Sequence, residues 1–314
     1  MKSTLLGLFI TMLSALDVQA APQVSYRIQD VDGIKIFYRE AGNPANPTIV
    51  LLHGFPSSSH MYRDLIPALM GKFHVIAPDY PGSGYSEVPD GVPFTPTFDG
   101  LADVMTRFVE KKGLTKFALY VQDFGGPVGF RMAASHPEWI SALVIQNANA
   151  YKEGLSSQVA SDIKQLSVGI NPDTERAMSQ VLSPQGVQYM YKTGARNPER
   201  LNPDAWTHDE EGLQNDVNRK IQMNLLADYH SNVEQYPAWH DYFRKSQPPT
   251  LIVWGKNDPL FIEAGANAYL RDIKNAELHL LDSGHFALEE DSAEIAARIT
   301  SFFAARPALV NVVK

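Results

Sequence analysis

The residues best placed to do chemistry lie where apolar runs end. In Leu119-Tyr120-Val121-Gln122-Asp123-Phe124-Gly125-Gly126 a hydrophobic strand-like stretch meets an acid and then two glycines. A sharp strand-to-helix turn needs small neighbours, and it lifts its central side chain above the sheet edge. The backbone N–H groups of a helix starting there face any developing negative charge. An Asp in this place could equally cap the helix that follows. Leu51-Leu52-His53-Gly54-Phe55-Pro56 ends a second apolar run, Trp254-Gly255-Lys256-Asn257-Asp258-Pro259 a third, and Ser283-Gly284-His285-Phe286 a fourth. Taken singly, a turn Asp or a lone His says little. In chain order, Asp123, Asp258 and His285 have the types of a nucleophile, an orienting acid and a histidine base. His53 reads as a structural histidine of its loop.

An Asp nucleophile selects its reaction. A carboxylate is ionised at neutral pH and attacks an electrophilic carbon without a base. The product is an ester on Asp123. His285, oriented by Asp258, then activates water to hydrolyse that ester, with the amides of Phe55 and Phe124 as the oxyanion donors. This suits alkyl electrophiles better than carboxylic esters, where attack would give an anhydride.

These residues need strands to hold them, and the pattern supplies them. Apolar runs at Thr48 to Leu52, Val75 to Ala77, Phe117 to Val121, Leu143 to Ile145, Leu251 to Trp254 and Glu277 to Leu281 read as buried strands. Between them, Met61 to Met70, Leu101 to Glu110, Val128 to Ser135, Ile262 to Arg271 and Ala293 to Phe303 read as helices. Such alternation predicts an α/β fold with a mostly parallel sheet flanked by helices. Val24 to Ile28 and Ile34 to Tyr38, joined by Asp32-Gly33, predict an edge hairpin. The alternation stops after Asn149 and resumes at Thr250, with Pro172, Pro184, Pro198, Pro203 and Pro237 between amphipathic helical stretches. The organisation expected is a core of residues 21–149 and 250–314 with an inserted helical cap over residues 150–249.

His53-Gly54-Phe55-Pro56, Asp79-Tyr80-Pro81-Gly82-Ser83-Gly84-Tyr85-Ser86, Gln122-Asp123-Phe124-Gly125-Gly126, Asp258 and Gly284-His285-Phe286 together resemble the α/β-hydrolase superfamily. Within it they resemble the branch of epoxide hydrolases and haloalkane dehalogenases, whose elbow also carries Asp. The resemblance runs from about Val24 to Ala305 and implies a cofactor-independent enzyme whose substrate contacts include Phe55, Pro56, Phe124 and Phe286. In that branch the acid can also follow the strand after the elbow helix. That region reads Gln146-Asn147-Ala148-Asn149, without a carboxylate, which leaves Asp258.

Dehalogenases of this branch hold the departing halide with a Trp after the nucleophile, and often an Asn after the His-Gly. Phe124 and Phe55 stand at those places and donate nothing from their side chains. Epoxide hydrolases open the ring with two cap Tyr. Asp228-Tyr229-His230-Ser231-Asn232 resembles the segment of the second, so Tyr229 is expected to protonate the ring oxygen. The first is left among Tyr151, Tyr189 and Tyr191. The function implied is an epoxide hydrolase, with a haloalkane dehalogenase or another small-molecule hydrolase as the alternative. A reading of a different class is a ligand-binding protein that kept the fold without turnover.

Bulk properties set the partners. A net charge of −8 speaks against a nucleic-acid or anionic-membrane surface and for a small-molecule substrate. The chain has no Cys, hence no thiolate nucleophile, disulfide or Cys metal ligand, and no metal site is expected. Lys2, the apolar Leu5 to Leu16 and the small residues at Ala20-Ala21 read as a signal peptide over residues 1–20, predicting a periplasmic or secreted enzyme. No other apolar run is long enough to span a membrane. The sequence leaves the oligomeric state open.

Overall fold

The computed structural model describes residues 23–310. The signal peptide expected over residues 1–20 lies outside them. Among the described residues, eight strands form one sheet in the order β1-β2-β4-β3-β5-β6-β7-β8. They are β1 Ser25–Val31, β2 Ile34–Ala41, β3 Thr48–Leu52, β4 His74–Pro78, β5 Phe117–Gln122, β6 Ile140–Gln146, β7 Thr250–Gly255 and β8 Glu277–Leu281. β1 pairs antiparallel with β2, the edge hairpin expected from Asp32-Gly33, and β2 pairs antiparallel with β4. Every other pairing is parallel. β3, β4, β5 and β7 are buried at every position, as their unbroken apolar runs require of strands covered on both faces.

The core helices before the cap are α1 Leu65–Leu69, α2 Phe98–Lys111 and α3 Gly125–Ser135. The cap is built from α4 Ser157–Leu166, α5 Pro172–Val181, α6 Pro184–Lys192, α7 Asp204–Gly212, α8 Asp216–Asp228 and α9 His230–Ser246. α10 Glu263–Asp272, α11 Leu288–Ala304 and α12 Pro307–Val310 complete the described chain. Two cap prolines mark helix starts. Pro172 and Pro184 sit in the first turns of α5 and α6, where the missing N–H costs nothing, behind the capping side chains of Asn171 and Ser183.

Four helices differ from the periodicity, α2 among them, since it starts at Phe98 behind its cap Thr97 rather than at the expected Leu101. The stretch predicted as one helix from Met61 to Met70 is a 3-10 turn, Ser59–Tyr62, followed by the short α1. Its start is pinned, because the Ser59 amide donates to buried Asp79 at 2.7 Å and the His60 amide to Ser58 Oγ at 3.2 Å. Arg63 then turns away to Glu289 of α11. α3 starts at Gly125, ahead of the expected Val128, because the helix begins directly behind Asp123. α11 starts at Leu288 rather than Ala293 and kinks at Asp291.

Candidate active site

Asp123 stands between the end of β5 and the start of α3, with φ of 48°. A non-glycine residue pays for that left-handed conformation, and the turn projects its side chain off the sheet edge. Three glycines make room. A Cβ on Gly54 would overlap Gln122 Oε1 and Asp123 Cβ, one on Gly125 would overlap the Leu52 carbonyl, and one on Gly129 would crowd Val121 and Leu119. The loop after β3 thus presses on the elbow, and the Phe55 amide donates to Asp123 Oδ1 at 2.6 Å. The Phe124 amide faces the same carboxylate. Phe55 and Phe124, the expected oxyanion donors, therefore flank Asp123, their rings 5.4 Å apart.

On its other side, His285 Nε2 lies 3.6 Å from Asp123 Oδ2, and His285 Nδ1 lies 2.8 Å from Asp258 Oδ2. The Gln122 amide nitrogen is 3.2 Å from Nε2. When the ring is neutral, a donor there makes Nε2 the acceptor and puts the one ring proton on Nδ1, toward Asp258. Asp258 is held at every lone pair. Its Oδ1 accepts from the Leu260 and Phe261 amides, and its Oδ2 also accepts from Asn147 Nδ2 at 2.8 Å. Asn147, at φ 41°, receives the Gly255 amide on its own oxygen and so ties the end of β6 to the acid loop after β7. It occupies the position after β6 where the sequence offers no carboxylate. The turn amides after Asp258 were readable from Asp-Pro; the Asn147 bridge needed the sheet order, which brings β6 beside β7.

The electrostatics follow from burial. Burial pushes the Asp123 carboxyl up to about 6, although His285 and the Phe55 and Phe124 amides pull the other way. Burial would lower His285, but the charge and hydrogen bond of Asp258, with Asp123, outweigh it and raise its pKa. His53 goes the opposite way. Buried, with Nε2 accepting the Tyr80 amide and Nδ1 against the Gly54 carbonyl, it is lowered to about 4 and stays a neutral strut of the loop.

A cavity of about 360 Å³ opens over Asp123. Its floor is Phe55, Phe124 and Phe261, and its roof is apolar cap surface, Val159, Ile163 and Leu166 of α4 with Met190 and Leu226. The spacing of 159, 163 and 166 is that of one helix face. Tyr229 closes one end, its ring against Phe98 and Phe124 at 5.7 and 5.9 Å. Its hydroxyl is buried without an aligned hydrogen bond, and burial, the neighbouring Tyr236 and Asp123 hold its pKa far above the ordinary value.

Other expected contacts lie elsewhere. Tyr151 is turned into the core, where its hydroxyl donates to Asp272 at 2.9 Å and its ring stacks on His240. Tyr191 donates to Asp209 at 2.5 Å and stacks on Phe286 at 3.9 Å, Phe286 in turn packs edge-on against His285, and neither ring lines the cavity. Pro56 faces a different cavity, on the far side of its loop. Tyr189 does line the cavity over Asp123, at its exposed mouth.

An elbow acid, a loop amide after β3, and a histidine and acid after the last two strands of an eight-stranded sheet define a hydrolase-type α/β architecture. The family model of the α/β-hydrolase fold matches residues 47–292, and the chain belongs to that family. It is 42% identical over 282 residues to an uncharacterized hydrolase of Saccharomyces cerevisiae, covering 89% of this chain and 97% of that protein. It is 28% identical over 286 residues to haloalkane dehalogenase 2 of Mycobacterium tuberculosis, covering 86% of this chain and 91% of the relative. The crystal structure of haloalkane dehalogenase DbeA from Bradyrhizobium elkani superposes with a TM-score of 0.76 at 21% identity, covering 91% of this chain and 99% of that one, a likeness of fold.

Proposed function

We propose that the protein hydrolyses epoxides to vicinal diols through an ester on Asp123. The observation that carries this reading is Tyr229 lining the same apolar cavity as Asp123, with its buried hydroxyl facing only the Tyr236 hydroxyl and making no aligned hydrogen bond. Asp123 Oδ1 is already held by the Phe55 amide, so Oδ2 is the attacking oxygen. It bonds to a ring carbon, the carbon–oxygen bond breaks, and Tyr229 gives its proton to the leaving oxygen. Oδ1 is then the ester carbonyl and sits on the amides that stabilise its negative charge. His285 takes a proton from water, hydroxide adds to the ester carbon, and collapse frees the second hydroxyl of the diol. Of the two water protons, one ends on that hydroxyl and the other returns to Tyr229.

The named dehalogenase relatives favour a second reading, halide displacement by the same acid. Against it stands the lack of a donor side chain at Phe55 and Phe124, where the halide would need one. One experiment separates the two. His285→Gln still attacks but does not hydrolyse, so it accumulates the ester, seen by intact mass and mapped to the Asp123 peptide. An adduct of whole-substrate mass from styrene oxide, slowed in a Tyr229→Phe, His285→Gln double variant, supports epoxide opening. An adduct only from 1-bromohexane, lighter than the substrate by hydrogen bromide, supports dehalogenation. No adduct from a substrate that wild type turns over would falsify the ester mechanism.

We also propose that the enzyme is exported, on the strength of its N-terminal sequence. Protein recovered from the periplasm or medium should have lost residues through Ala20 or Ala21 by intact mass. Recovery there with Met1 to Ala20 attached goes against cleavage.

A further inference from the structure

A second cavity, of about 260 Å³, lies where α7 and α8 of the cap meet the loops after β3 and β4, and its lining shares no residue with that over Asp123. Asp209, only 4% exposed, lines it. Its Oδ2 accepts from Tyr191, while Oδ1 makes no aligned hydrogen bond. Ser57 stands beside it, also out of line. His208, which also lines the cavity, has its Nε2 buried and unpaired, and behind the lining the Gln222 nitrogen donates to Gly82 and to Ser83 Oγ. A buried polar atom left unsatisfied costs about 1–3 kcal/mol, and a cluster of them around one cavity marks a place built for polar atoms from elsewhere.

The lining also says which polar atoms. An anion would meet Asp209 and Glu211, and a cation would meet the field of Arg39 and Arg63, which helps hold His60 and His208 neutral. Ser83, Asn218 and His208 offer neutral groups that can donate or accept. Tyr85, its ring 5.4 Å from that of His208, adds an apolar face. We propose that this cavity is a second binding site, for a neutral molecule with adjacent hydroxyl groups. Each hydroxyl both donates and accepts, which is what Asp209 Oδ1 and His208 Nε2 lack. The diol released by the reaction proposed above is one source of such a ligand, and a free polyol is another.

The test is titration of ¹⁵N-labelled mature protein with 1-phenyl-1,2-ethanediol and, separately, with sorbitol. Saturable shifts at the amides of Gly82 to Tyr85 and of His208 to Asn218 are expected with at least one of them. Binding of the diol alone points to reaction product, and binding of sorbitol as well points to free polyols. His208→Phe, which keeps the ring, and Asn218→Leu, on a different helix, should each weaken binding by about tenfold while turnover persists. Shifts confined to the cavity over Asp123, shifts linear in concentration as for hydration alone, or affinities unchanged in both variants overturn the proposal. No turnover is needed to see binding, so failure of the epoxide reading and failure of this site give different results.

Discussion

At the scale of single residues, the site is a contest between burial and charge, and its pH dependence follows. Burial raises Asp123 to about 6, with the His285 charge and two amides acting against that rise. Under the proposed mechanism a carboxylic acid does not attack carbon, so ester formation should fall about tenfold per unit below that midpoint. His285 is itself raised, so near pH 6 it is charged and holds Asp123 down. Removing it removes that restraint. Single-turnover ester formation in His285→Gln should therefore have its acid limb at higher pH than the pre-steady-state burst of wild type. The measurement is rapid quench with mass detection across pH 4.5 to 8.5 (about half-unit steps suffice for a one-proton curve). A limb unmoved or moved down would show that the histidine charge does not reach the nucleophile. Tyr229, held far above its ordinary pKa, stays a donor throughout this range.

At the scale of elements, Arg131 ties the cap to the elbow helix alongside the packing of Phe130 on Trp239 and Phe243. Arg131 of α3 donates to Asn232 Oδ1 at 2.7 Å, to Ser231 and to Asp99, while the Phe98 amide of α2 donates to Asp228. These contacts grip both sides of Tyr229. Asp99 is 76% exposed, so that arm contributes little, but Asn232 is fully buried. Arg131→Met should cost roughly 1–3 kcal/mol by stranding the Asn232 oxygen, read from the urea midpoint. An unchanged midpoint means the cap docks without it. Strand ends and glycines were legible in the sequence because each obeys a local rule, and with them Asp123, Asp258 and His285. Tyr151, Tyr191 and Phe286 were not. Their types fit a cavity as well as a core, and only packing decided that Asp272, Asp209 and a stacked ring would take them. Asn147 was invisible for a similar reason, since its partner lies 111 residues away across the sheet.

At the scale of the whole molecule, charge and cavity agree on what can enter. The chain carries a net charge of −8, and among the described residues no Lys or Arg lines the cavity over Asp123. At its mouth stand Asp162, bonded to Gln158, with Gln180 and Tyr189. A substrate bearing a carboxylate would pass that Asp and then sit against the Asp123 carboxylate in a wall of Phe, Leu, Ile and Val, with no cation of that lining to replace its lost water. Burying an unpaired anion costs several kcal/mol, whereas an alkyl or aryl tail gains about 25 cal/mol for each Å² it removes from water. A neutral epoxide or haloalkane should therefore exceed its carboxylated analogue in kcat/KM by at least about a hundredfold, equivalent to roughly 2.7 kcal/mol. The part of the gap due to long-range repulsion should shrink between about 10 mM and 1 M salt, as the Debye length falls from about 30 to 3 Å, while the desolvation part persists. The measurement is a matched pair of substrates assayed at both salt concentrations, with Asp162→Asn alongside. Asp162→Asn should reproduce part of the high-salt result at low salt. Equal kcat/KM for the pair would mean that a cation reaches the bound carboxylate, and the cavity would have to rearrange around substrate to supply one.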